Sequence, residues 1–212
     1  MANTAINAST VADISNDVGN ALDLINDLTD QFKTNVIGKI ERSWYNKNVT
    51  KVMPDADKGM TGFSNGANES LASLGKALAG AANAWAEANG RPSYNTRNIA
   101  SNPRTISGTY RESGDDGFEG MDTEEIQQAV DEGERIKDEY LKAINKLRKA
   151  GERDGFRGGS MQSNLNAVCN TLEQQATRQI DNILDNITTN TGTARRNVIA
   201  AKEMTESTFQ IK

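Results

Sequence analysis

The sequence predicts an all-α protein: two long helical hairpins packing as an antiparallel four-helix bundle. Three observations predict it. Apolar residues recur at steps of three and four along four long stretches, the period of one helix face. Only 3 prolines and 5% aromatic residues occur in 212, a composition that suits slender helices better than a thick sheet core. The four stretches also fall into two halves of like layout, separated by a segment with no period at all.

The first stripe runs Val11, Ile14, Val18, Ala21, Ile25, Leu28 and Phe32, a strict three/four alternation. It then steps by four through Val36, Ile40 and Trp44. Such a shift is a local stutter, expected to relax the supercoil toward a straight helix. The acidic pairs Asp13/Asp17 and Asp23/Asp27 lie off the stripe and read as a solvated face.

The second stripe runs Met60, Phe63, Ala67, Leu71, Leu74, Leu78, Ala81, Trp85 and Ala88, which places Trp85 in the core. Pro54 suits a first helical position, and Asp55 and Asp57 suit the positive end of a helix dipole. Helix two is therefore expected from about 54 to the stop signal Asn89-Gly90, with residues 44–53 as the turn. A start near Val49 with a kink at Pro54 is the alternative. Residues 91–120, rich in Gly, Ser, Asn and Arg, read as a flexible linker, and Asp115-Asp116 within it as a solvated loop.

Asp122 is placed to cap a third helix, with Glu125 reaching back from the third helical position. The stripe it opens is Ile126, Val130, Gly133, Ile136, Tyr140, Ile144 and Leu147. The run GERDGFRGGS, residues 151–160, breaks it. A fourth stripe follows with Met161, Leu165, Val168, Leu172, Ala176, Ile180, Ile183 and Ile187, expected to end at TTNTGT. The expected organisation is thus a hairpin over 1–90, a linker over 91–120, a second hairpin over 121–190, and a tail over 191–212. That tail can form a short helix with Val198, Ala201 and Met204 inward.

Composition narrows the function. The net charge is −5 and neither half is basic: 11 Lys+Arg face 14 Asp+Glu in residues 1–120, and 13 face 15 in the remainder. No nucleic-acid partner is expected, since that footprint needs clustered cations. There are 0 His, which removes the commonest general base and metal ligand. Cys169 stands alone on a predicted helix face and reads as a small buried apolar side chain. The expectation is a non-enzymatic protein with no cofactor and no metal. The first residues lack a basic and then apolar leader, so no cleavable secretory signal is expected, and no run has the length of a membrane span.

Both turns carry an aromatic, any residue, then a residue that tolerates a left-handed backbone: Trp44-Tyr45-Asn46 and Phe156-Arg157-Gly158. An aromatic-x-Gly turn between two long amphipathic helices, with the Trp near residue 44, resembles the WXG (early secreted antigen-like) family, substrates of Gram-positive type VII, or Esx-type, secretion. Members are hairpins of about half this length that pair into four-helix bundles. The chain looks like two such units fused, with Asn46 in place of the family's Gly and Phe156 in place of its Trp. The resemblance implies an exported substrate or carrier without a cleavable leader. Its partners would be a type VII secretion ATPase, WXG-like proteins or a second copy, and Trp44, Tyr45, Asn46, Phe156, Arg157 and Gly158 are the candidate recognition residues. The C-terminal Tyr-x-x-x-Asp/Glu export signal that some members carry is absent: Val49, Asn98, Gly114 and Ile144 stand four residues after the four tyrosines. The alternative function is a structural helical-bundle protein, such as a filament or surface-assembly subunit.

Overall fold

Four long stretches of chain are helical, as their stripes require. The computed structural model describes residues 6–112 and 120–209, except the side chains of residues 198 and 201–209. Helix α1 spans Ala8–Phe32, followed by one π-helical turn at Lys33–Ile37 and helix α2 at Gly38–Ser43. A two-residue strand β1, Trp44–Tyr45, leads to α3 at Val49–Ala88. Residues 91–110 form no regular element, and further along the chain come β2 at Gly120–Met121, α4 at Thr123–Ala150 and α5 at Ser160–Phe209. Every residue of the first stripe, from Val11 to Trp44, is buried. The fold is an all-α helical bundle.

The chain forms two compact units, each drawing on every long helix. The first comprises residues 1–30, 61–105 and 136–178. In it α1 and α3 run antiparallel, with the Ser15 hydroxyl on the Gly75 carbonyl (2.8 Å) and the side chains of Asn26 and Asn68 exchanging hydrogen bonds. Thr29 Oγ1 shares a 2.7 Å hydrogen bond with the Tyr140 hydroxyl, tying α1 to α4. The ring of Phe63 meets that of Tyr140 edge to face at 5.3 Å. The second unit comprises residues 31–60, 106–135 and 179–212. There Asn35 donates to Glu132 and Lys39 to Gln128, which sets the π-turn and α2 antiparallel to α4. Gly133 lets α5 approach, since a Cβ on it would lie 2.6 Å from Leu184.

Several expectations are corrected. Helix α3 starts at Val49, as in the alternative reading, and not at 54, and carries Pro54 inside it. The Val52 N–H donates to the Asn48 carbonyl (3.0 Å), which starts the helix before the proline. Pro54 removes one ladder hydrogen bond, and burial of Val49, Met53, Ala56 and Met60 outweighs that loss. The stutter at Phe32–Val36 becomes a π-turn rather than a mere straightening: the Gly38 N–H reaches back five residues to the Lys33 carbonyl. Trp85 is 38% exposed, with the Arg91 guanidinium 5.2 Å over its ring. The stripe drifts there to Leu78, Ala82 and Ala86, all buried, and carries Trp85 outward.

The fourth helix does not stop at TTNTGT. Thr191 and Thr193 donate their hydroxyls to the carbonyls of Ile187 and Thr189, four residues back, and the helix runs on to Phe209. The tail is thus a continuation of α5 rather than a separate short helix. Asp122 does cap α4, its Oδ1 accepting from the N–H groups of Glu124 and Glu125 (both 3.0 Å). Glu125 does not reach back: the Asp122 N–H goes to the Ser43 carbonyl at 2.7 Å, and Glu125 pairs with Lys39. Asp115, Asp116 and the side chains of Val198, Ala201 and Met204 lie outside the described residues.

Within the first unit, the start of the expected linker is fastened. Arg97 donates from its guanidinium to Asn20 and Asp23 and from its backbone to Asn16. Asn102 and Arg104 donate their backbone N–H groups to the side chains of Asn68 and Asn65. Ile99 is buried against Gly19 and Gly75, and a Cβ on Gly75 would lie 2.3 Å from its δ-methyl. Absence of helical period therefore does not mean absence of packing.

Candidate functional site

The six candidate residues fall in both units: Trp44, Tyr45 and Asn46 in the second, Phe156, Arg157 and Gly158 in the first. At the first corner, the four-residue steps of the stripe carry Trp44 inward until it is fully buried. Its backbone turns extended, at φ −131° and ψ 107°, and ends α2. Trp44 and Tyr45 then pair antiparallel with Met121 and Gly120. Tyr45 also bridges to Arg111. The indole Nε1–H, though buried, has no hydrogen-bond partner among the described residues.

Asn46 works differently from expectation. No described non-glycine residue has a positive φ, so Asn46 does not stand in for a left-handed Gly. Its side-chain oxygen instead accepts from the Asn48 N–H (2.8 Å) and its carbonyl from the Val49 N–H (3.0 Å). That local turn feeds α3. Tyr45 and Asn46 are half-buried and Lys47 is exposed.

A carboxylate cluster lies in the same unit: Asp57, expected at the positive end of a helix dipole, stands beyond the first turn of α3 and is held by other partners. Asp57 is buried on α3, where the Tyr110 hydroxyl donates to one carboxylate oxygen (2.6 Å) and the Gly108 N–H to the other (2.8 Å). The Thr109 N–H donates to Glu41. Burial raises the Asp57 carboxyl above its ordinary range, the two hydrogen bonds oppose this, and nearby Glu41 adds to the rise. Burial and Asp57 together also raise the Tyr110 phenol. A signal was available: Asp57 lies four residues beyond Met53 on the apolar side of α3, where a carboxylate needs a partner. The cluster clasps residues 108–110 onto α3.

The second corner keeps to expectation at its glycine. Gly158 has φ +86° and Gly155 φ +84°, backbone that glycine adopts at low cost. Phe156 is buried, while Arg157 and Gly158 are exposed. The Asn7 N–H donates to the Gly155 carbonyl (2.7 Å), and Arg153 pairs with Asp17, so the start of α1 is seated on this turn. A Cβ on Gly155 would lie 2.5 Å from the Asn7 side chain.

Cys169 is fully buried, and burial pushes its thiol up to about 11. Among the described residues, no group of three or more Cys, Asp or Glu is placed to hold a metal ion, and no helix is long and apolar enough to cross a membrane. No family model, curated protein or solved structure matches this chain.

Proposed function

We propose that this protein acts through protein–protein contact as a fused pair of WXG-like hairpins, a substrate or carrier of a type VII secretion system. One observation carries the reading: each hairpin corner is built around a buried aromatic, Trp44 in one and Phe156 in the other. Beside each ring lies a polar, accessible residue: half-buried Tyr45 and Asn46, and exposed Arg157. The rings fix the corners, and these neighbours form the recognition surface.

The test is expression in a Gram-positive host with and without its type VII ATPase. The reading expects the protein in the culture supernatant only when the ATPase is present. Equal amounts in both supernatants, or none in either, would overturn it. A Tyr45→Ala/Arg157→Ala variant should fold with an unchanged melting profile and lose export.

A further inference from the structure

We propose that the groove between α1 and α4 in the first unit is a docking site for an acidic, amphipathic segment of a partner protein, seated by one apolar side chain. The groove has a volume of about 270 Å³, of the order of one or two large side chains. Its floor is Ala21, Ala143, Leu147 and Ala150, with Leu24 at the edge. Three alanines hold the two helix faces open where longer side chains would close the seam. Leu24 is 41% exposed there, one of few large apolar side chains left so accessible among the described residues.

The rim selects the sign of the occupant. Lys146, Lys149 and Arg153 line it against the single carboxylate of Asp17. Asp17 is engaged by Arg153 at 2.7 Å, whereas Lys146 and Lys149 are exposed and carry no described ion pair. The whole chain is acidic, at −5, so this cationic rim runs against the overall charge. An acidic segment repelled elsewhere is attracted here. A leucine- or phenylalanine-sized anchor fills the alanine floor, and flanking carboxylates reach the two lysines. This inference stands apart from the secretion reading, because it depends only on the first unit's groove.

The probe is a fluorescein-labelled helical peptide with a single Phe anchor and Glu one turn to either side, read by fluorescence anisotropy on the full chain. A twin peptide with Lys for Glu is the control. The Glu peptide should bind, more weakly as salt rises, and the Lys peptide should not. Lys146→Glu/Lys149→Glu, both on the surface, should weaken binding by roughly tenfold or more at low salt. Ala143→Leu should block it by filling the floor. Equal binding of both peptides, or binding unmoved by the lysine reversals, would overturn the proposal, whatever Ala143→Leu does to folding. Binding of octanoate with no binding of the Glu peptide would also overturn it, making the groove a small-molecule site. So would concentration-dependent dimerisation abolished by the lysine reversals without peptide binding, which would make the occupant a second copy.

Discussion

Trp44 is the residue on which the first corner turns. Its ring is fully buried, yet its N–H has no described partner. Trp44→Ala should therefore lose about 3–5 kcal/mol in urea unfolding, as large-to-small core changes do. Trp44→Phe removes the unpaired donor along with some volume, so it should lose only about 1–1.5 kcal/mol. A Trp44→Phe loss of about 3 kcal/mol or more would contradict the unpaired indole N–H, since it would include a broken buried hydrogen bond.

Asp57 supplies a pH dependence. Its folded-state pKa is raised above 3.8, so the folded chain holds that proton more tightly than the unfolded chain does. Its contribution favours the fold at low pH and is lost as pH rises through the raised value. Asp57→Asn cannot ionise. Relative to wild type, the variant should gain unfolding free energy as pH rises from about 4 to 7, even if it is less stable in absolute terms. A constant difference across that range would contradict the raised value. Burial of Trp44 was legible from the stripe. The partners of Asp57 were not, because Gly108 and Tyr110 lie some fifty residues away in a segment without period.

Among the elements, α3 and the segment after it depart most from expectation. Pro54 is exposed and breaks the backbone ladder inside α3. Pro54→Ala restores an N–H and loses no buried contact, so it should raise stability by about 1–2 kcal/mol, measured as a higher urea midpoint at constant slope. The start of α3 was hard to read because proline at a first helical position is so common. The Asn46–Asn48 turn that starts it earlier is made of side-chain and carbonyl contacts with no strong sequence signature. In the first unit, residues 91–105 are held by Ile99 and by asparagine side chains on α1 and α3. Ile99→Ser should speed tryptic cleavage at Arg97 and Arg104 by about tenfold or more while circular dichroism keeps its helical signal. Unchanged cleavage would mean that the polar contacts alone hold the segment. Gly19 and Gly75, the small residues that admit Ile99, lie within α1 and α3. Their purpose depends on a residue far along the chain.

For the whole molecule, each unit takes in parts of every long helix, so both hairpins contribute to both. A chain that carries both hairpins has no need of a second copy to complete its bundle. Sedimentation at micromolar concentration should give a single species of 23.0 kDa. Large assemblies would instead favour a structural subunit, with Ile199, 46% exposed on α5, as the first place to look for the contact.

The sequence by itself determined the helical class, the first stripe, the cap at Asp122, the stop at Gly90 and the break between α4 and α5. Each depends on neighbours within a turn or two, where spacing and backbone preference act locally. Only the tertiary structure decided the exposure of Trp85, the π-turn at Lys33–Ile37, the fastening of residues 91–105 and the Asp57 clasp. It also decided the buried polar contacts joining Asn26 to Asn68 and Thr29 to Tyr140. Those depend on which side chain arrives opposite which, and a buried polar group is settled only by the partner that satisfies it.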